Sequence, residues 1–242
     1  MALLQSNIGG AATVTSVTPQ NFTSTAAGFA SPTSAGSLLV MSGWITAGFN
    51  TLSSNVSLAT PPPLGTSSWA TTQLALGIPS GIGYWVIENA PSIATTSTTK
   101  AIGVLTGSGF TVSSATVEFA LWEFSNMVTA SAKDVVQFAH SANSVPNAGG
   151  LTTTAVDIVM QTYVARGGPA ISAGTGYTLG IAGSAVIESQ TQYQLSVPAS
   201  TVTTAFVGTQ TGTWISLAVS YKASTVTAAA VFAYSFPVLI GV

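Results

Sequence analysis

The sequence contains no cysteine and very few charged side chains: four Lys and Arg and six Asp and Glu among 242 residues. Without cysteine there can be no disulfide, no thiolate zinc site and no cysteine nucleophile. Four scattered basic residues cannot form the phosphate-tracking patch that nucleic-acid binding requires. These absences exclude thiol chemistry and predict a protein that does not bind nucleic acid.

The sequence also lacks the segments that direct a chain to a membrane. Residues 1–10 have neither the basic region nor the apolar core of a signal peptide. No run of about 18 strongly apolar residues occurs elsewhere. We therefore predict no membrane span, and synthesis in a cytoplasm without Sec-dependent export.

What the chain does have is apolar surface and hydroxyl groups. Apolar residues make up 47% of the sequence, and 31 Ser and 35 Thr dominate the polar remainder. A chain of this length and apolar content can bury about three quarters of the surface that it exposes when unfolded, so it should fold rather than stay disordered. We predict one domain over residues 1–222, in which 1–35 form an N-terminal arm and first strand.

Hydrophobic periodicity predicts strands and no helix. In 214–221 the residues Ile215, Leu217, Val219 and Tyr221 alternate along one face. Similar short segments, rich in β-branched and aromatic residues, are predicted as the central strands: 38–45, 84–87, 116–124, 157–164 and 214–221.

Glycine and proline separate these segments and predict connectors, for example at 107–109, 146–150 and 174–176. Many short strands with such punctuation predict an all-β fold, an antiparallel β-sandwich of jelly-roll type. An up-and-down barrel is the alternative.

The order of these segments resembles a group of β-sandwich domains, jelly-roll or lectin-like, found in bacteriophage capsid- or tail-associated proteins and in bacterial surface proteins. The resemblance covers about residues 35–222. It is carried by GSLLVMSGWI (36–45), YWVIENA (84–90), TVEFALWEFSNM (116–127), TTTAVDIVMQTYV (152–164), GTGYTLG (174–180), ESQTQY (188–193) and GTWISLAVSYK (212–222). It implies a domain that binds or decorates, with no catalytic residues to transfer.

Residue by residue, we find no convincing catalytic or metal site. Glu118 and Glu123 are an odd number of positions apart on one predicted strand, so they point to opposite faces. A glycosidase pair could still come from two different strands, for example Glu88 with Glu118. His140 with Asp134 or Asp157 and a serine could be written as a triad, but no Gly-x-Ser-x-Gly motif accompanies it.

Calcium would have to use Asp134, Asp157 and amide or carbonyl oxygens, without an Asp-x-Asp-x-Asp run. The prediction is a protein that is not an enzyme and has no cofactor and no metal.

Tryptophan offers one candidate for glycan binding. Four of the five tryptophans lie in predicted strands, where core packing explains them. Trp69 lies in a Ser- and Thr-rich loop or strand edge and is the candidate for stacking on a sugar ring.

The C-terminal residues 223–242 contain no charge and predict an apolar arm or final strand. Six large side chains there are the candidate assembly residues: Val231, Phe232, Tyr234, Phe236, Leu239 and Ile240. Exposed on a free monomer they would form a costly patch. In a final strand of the same sandwich, Pro237 would make the segment an edge strand or split it. A membrane anchor is a second interpretation, but Thr225, Thr227, Ser235 and Pro237 dilute the segment below a spanning signal. A third is an arm that adds a strand to a neighbouring subunit.

Together these features predict a non-enzymatic virion protein of a bacteriophage, either a capsid decoration or a tail-associated subunit. Its partners would be other virion proteins and copies of itself. The alternative is a carbohydrate-binding or adhesive module of a bacterial surface protein, for which a host-surface glycan would be the ligand.

Overall fold

The computed structural model describes most of the chain, largely as β-strand. The described residues are 1–15, 22–46, 49–59, 67–68, 72–76, 84–93, 100–110, 114–128, 131–142, 144–165, 169, 171–182 and 188–224. No helix long and apolar enough to cross a membrane occurs in this part of the chain.

Sixteen strands and no helix occur in the described residues. The strands are β1 (Ala2–Thr15), β2 (Phe22–Gly28), β3 (Leu38–Thr46), β4 (Phe49–Ala59), β5 (Ser67–Ser68), β6 (Thr72–Leu76), β7 (Tyr84–Ile93), β8 (Lys100–Phe110), β9 (Ser114–Ser125), β10 (Lys133–Ala142), β11 (Asn147–Thr152), β12 (Asp157–Ala165), β13 (Thr178–Ala182), β14 (Glu188–Val197), β15 (Thr201–Ala205) and β16 (Thr213–Lys222).

These strands form four antiparallel sheets. The N-terminal sheet has the order β1-β9-β3-β7-β6, and the C-terminal sheet has the order β10-β16-β12-β14-β13. A four-stranded sheet has the order β2-β8-β4-β5, and β11 and β15 form a two-stranded ribbon. The predicted all-β, antiparallel class is confirmed.

The five predicted central strands correspond to β3, β7, β9, β12 and β16, and each lies inside a five-stranded sheet. Their sequences are apolar on at least one face because interior strands have neighbours on both edges and a layer against them. The prediction of these strands is confirmed.

One hydrophobic core draws its residues from both five-stranded sheets. The predicted alternating face of β16, Ile215 to Tyr221, packs with Trp44 of β3 and Trp122 of β9. The Trp44 indole Nε1 donates a hydrogen bond of 2.8 Å to Ser189 Oγ at the start of β14. Gly180 of β13 lies so close to the Trp122 ring that an added Cβ would be 2.4 Å from it.

The opposite face of the C-terminal sheet is covered by the ribbon, so all nine residues of β12 are buried. Val159 packs with Ala148 and Leu151 of the ribbon. Gln161 donates a 3.0 Å hydrogen bond to the Thr204 carbonyl of β15. Two covered faces explain why β12 has an almost continuous apolar sequence.

Two predicted connectors were wrong. Residues 107–109 lie inside β8, and 146–150 include the start of β11. In the second case glycine does mark irregular backbone: Gly149 has φ of 106°, and the register with β15 shifts between Asn147 and Gly149. The glycine allows a bulge within the strand rather than a loop between strands.

Candidate functional site

The residues that the sequence analysis singled out for binding and assembly lie outside the described residues. They are Trp69 and the six side chains Val231, Phe232, Tyr234, Phe236, Leu239 and Ile240. What the structure describes is the end of β16 and residues 223 and 224, which precede the C-terminal segment in the sequence.

The backbone just before residue 225 is held by hydrogen bonds to three different segments. The Lys222 N–H donates to Ala132 O at 2.8 Å, and its carbonyl accepts from Val128 N at 3.0 Å. Ala223 N donates to Val156 O at 2.8 Å, and Ser224 N donates to Asn126 O at 2.9 Å. The chain is therefore fixed to the sheet up to Ser224.

Strand β10 runs along one edge of the same sheet. Its neighbour is β16, and Lys133 lies opposite Tyr221 while Ala142 lies opposite Thr213. The register shifts between Lys133 and Val136, and the Val135 N–H there donates to Ser220 Oγ at 3.1 Å. Beyond this irregularity the pairing is continuous to the end of β10.

Next to the Lys222 end of β16 lies a pair of carboxyl groups, Asp134 of β10 and Asp157 of β12. Asp134 accepts hydrogen bonds from Thr154 N at 2.7 Å and Thr154 Oγ1 at 2.8 Å. Its Oδ1 is 3.8 Å from the Lys222 ammonium. Burial opposes ionisation of Asp134, but the Thr154 hydrogen bonds and the Lys222 charge hold its pKa below the usual value.

Asp157 has a different environment. Its side chain is 0% exposed, and neither carboxyl oxygen has a hydrogen-bond partner among the described residues. Burial raises the pKa of Asp157 to about 6, and the Asp134 charge adds to the rise. The neighbouring Ser220 hydroxyl, which lies outside hydrogen-bonding geometry, and the Lys222 ammonium oppose it. Among the described residues no group of three His, Asp or Glu side chains is placed to hold a metal ion.

Glu123 is a buried carboxylate that is fully engaged by donors. Its Oε1 accepts from Ser34 N and Ser37 Oγ, both at 2.5 Å, and its Oε2 accepts from Gln5 Nε2 at 2.6 Å. These contacts tie β1 and the segment before β3 to β9. Glu123 therefore acts as a structural anchor.

The histidine and the other glutamates are not assembled into a triad or a close pair by the described backbone. His140 is exposed and lies opposite Ile215, whereas Asp157 lies opposite Lys222. Ile215 and Lys222 are seven residues apart along β16, and an extended strand of that length spans about 23 Å. Glu88 and Glu118 lie on the two strands that flank β3, opposite Ser42 and Trp44 respectively.

Two clefts open on the described surface. One, of about 530 Å³, is lined by hydroxyl groups and backbone around Ser34, Ser125 and Ser224. The other, of about 360 Å³, lies between β15 and the turn before β13, with Tyr177 and Gln194 in its wall. Neither is lined by a charged side chain, which fits neutral ligands.

No known protein family, curated protein or solved structure matches this chain.

Proposed function

We propose that this chain is a non-enzymatic structural protein of a bacteriophage virion, a capsid decoration or a tail-associated subunit. It assembles with copies of itself and with other virion proteins through apolar and backbone contacts. We also propose that the two five-stranded sheets are the layers of a jelly-roll-like sandwich, because one core draws side chains from both.

The observation that supports this most is the C-terminal segment. It follows a backbone that is hydrogen-bonded up to Ser224, and it places six large apolar side chains within residues 231–240 without one charge. Burying each such side chain contributes about 1.5–3 kcal/mol. After the entropy of ordering the segment is subtracted, several kcal/mol remain to hold a subunit on a particle.

The charge content fits the same role. With four basic and six acidic residues, long-range electrostatic steering toward a partner is weak, and contact must depend on shape, apolar area and hydrogen bonds. Such contacts suit a permanent assembly better than a transient signalling complex.

The test is mass spectrometry of purified particles from the source of the sequence. We expect the chain to be present at high copy number in intact particles. Its absence from washed particles, together with abundance in the soluble fraction of the producing cells, would contradict a virion role.

The second candidate is a carbohydrate-binding module, favoured by the uncharged cleft beside Tyr177 and by Trp69. Sugars bind through stacked rings and neutral hydrogen-bonding groups, and the cleft contains Thr175, Gln194 and Thr203 besides the tyrosine. A glycan array with the intact protein distinguishes the two. Binding that is lost in Trp69→Ala or Gln194→Ala would favour this module.

A further inference from the structure

The outer side of β10 has no partner strand among the described residues. In the sheet order β10 comes first, beside β16, and its residues Gln137, Phe138 and His140 to Ala142 are exposed. An edge strand presents unpaired backbone N–H and C=O groups, which can bind another strand.

The protections usual for a long edge strand are missing from most of β10. Charged residues occur only at its start, Lys133 and Asp134, and the register shift is confined to the same end. From Val135 to Ala142 there is no proline and no Asp, Glu, Lys or Arg. At the other edge of this sheet, β13 has only five residues and its register shifts between Leu179 and Ala182.

Phe138 lies at the solvent-exposed edge of the hydrophobic core to which both five-stranded sheets contribute. It lies opposite Leu217, so both side chains are on the core side of the sheet, yet Phe138 remains 43% exposed. Val136, two residues earlier, packs against that core. An added strand carrying an apolar side chain on this face would cover Phe138.

We propose that β10 is the acceptor edge for residues 225–242 of a second copy of this chain, which add a strand to the C-terminal sheet. This rests on the proposed assembly role of that segment. Eighteen extended residues can reach about 60 Å, whereas the ten residues of β10 span about 33 Å. Phe232, Tyr234 and Phe236 alternate, so three aromatic rings share one face of such a strand.

Strand direction favours a second copy over the chain's own segment. Strand β16 ends beside the Lys133 end of β10, so its own continuation along the outer side would run parallel to β10. Every strand pair described in this protein is antiparallel, and parallel neighbours are normally joined by a long crossover.

To pair antiparallel with β10, the chain's own segment would first have to run the length of β10, about 33 Å, to reach its Ala142 end. That passage uses about ten of the eighteen residues. A segment from another copy has no such constraint. Pro237 is also acceptable in a strand that pairs on one side only, because its missing N–H can face outward.

Disulfide trapping tests the contact directly, since the natural chain has no cysteine. One full-length variant carries Gln137→Cys, and a second carries a single cysteine at one position from 231 to 236 in turn. After mixing and oxidation, any disulfide between the two variants is intermolecular. We expect the yield of disulfide-linked mixed dimer to be high at every second position from 231 to 236 and low at the positions between them. Equal yields at all six positions, or negligible yields at all six, would overturn the proposal.

A surface substitution tests the same edge without cross-linking. Phe138→Lys should weaken self-association at least about tenfold in sedimentation velocity. Leu179→Lys is the matched control, because Leu179 is 39% exposed at the opposite edge of the same sheet. It should change association less than about twofold, and circular dichroism should show that both variants remain folded.

A third variant separates this inference from the proposed function. Phe232→Asp combined with Phe236→Asp should disperse the oligomer if the C-terminal segment drives assembly. If the double variant no longer forms the oligomer while Phe138→Lys still does, the assembly role stands and β10 is not the acceptor. If the double variant also stays assembled, both ideas fail.

Discussion

Two buried carboxyl groups in the described residues have opposite hydrogen-bonding environments. Glu123 receives three donors and is anchored as an acceptor. No donor among the described residues lies within hydrogen-bonding geometry of the Asp157 carboxyl oxygens, and the neighbouring Asp134 carboxylate makes ionisation of Asp157 harder. The contribution of Asp157 to stability should therefore depend on pH.

Asp157→Asn should remove a pH dependence of stability between about pH 4 and 6. The native pKa of about 6 is above the ordinary 3.8, so the folded state binds the proton more tightly. The stabilisation is complete below about pH 4 and is lost as the pH rises through 6, at a cost of about 3 kcal/mol by pH 8. Urea unfolding across pH 4–8 should show a flatter curve and a more stable variant at pH 8.

Asp134→Asn is the control for that measurement. Its carboxylate accepts both Thr154 bonds, so the amide should destabilise the protein at pH 8 rather than stabilise it. If Asp157→Asn instead lowers stability at pH 8, ionised Asp157 is better solvated than its burial indicates.

The sequence could identify the rare charged residues but not the residues that each of them contacts in the folded protein. From the sequence, Asp134 and Asp157 are candidates only for calcium binding or for a triad with His140, because nothing in it indicates that Thr154 and Lys222 meet Asp134. That contact depends on the irregular backbone at the start of β10, which is a property of the strand pair.

Buried glutamines join the strands of the C-terminal sheet to one another and to the ribbon. Gln192 Nε2 donates to Gln161 Oε1 at 2.6 Å, and Gln192 Oε1 accepts from Gly174 N at 2.7 Å. Gln161 Nε2 also donates to Ser216 Oγ at 2.7 Å. This network connects β12, β14 and β16 with the turn before β13.

Gln192→Leu should destabilise the protein by about 2–4 kcal/mol, because Gly174 N and Gln161 Oε1 would lose buried partners. Gln194→Leu, two residues further along β14, is the control; it forms none of these bonds and should cost less than about 1 kcal/mol. Chemical denaturation at one pH compares them. Equal losses would show that the network adds nothing beyond packing.

The strands that sequence predicted correctly are those with strong apolar patterns, such as β12 and β16. Strands β4 and β8 were not identified, because four Ser and Thr residues in β4 and three Gly residues in β8 interrupt the apolar pattern. Alternating Gln190, Gln192 and Gln194 did carry a period of two, and this could have indicated a polar buried face.

Self-association of the protein should be insensitive to salt. The chain carries ten charged residues, and the contacts proposed for assembly are apolar and backbone in nature. Oligomers measured by light scattering should therefore persist from low salt to about 1 M NaCl, where exposed charge pairs are screened. Dissociation by salt would indicate an electrostatic interface instead.

Deletion of residues 225–242 should leave a folded protein that no longer self-associates. The described backbone bonds end at Ser224, so truncation after that residue keeps all of them. Circular dichroism should remain that of a β protein, with less than about a fifth helix, while the mass in light scattering falls to that of one chain. Unfolding of the truncated chain would indicate that residues 225–242 form an internal strand of the fold.

The hydrogen bonds around Lys222 have a consequence for proteolysis. Lys222 is the last lysine or arginine in the sequence, so a trypsin-like protease can detach the C-terminal segment only at the bond between residues 222 and 223. The carbonyl of that bond is bound to Val128 and its N–H to Val156. Cleavage there requires local opening of the sheet, and its rate would report how often that opening occurs.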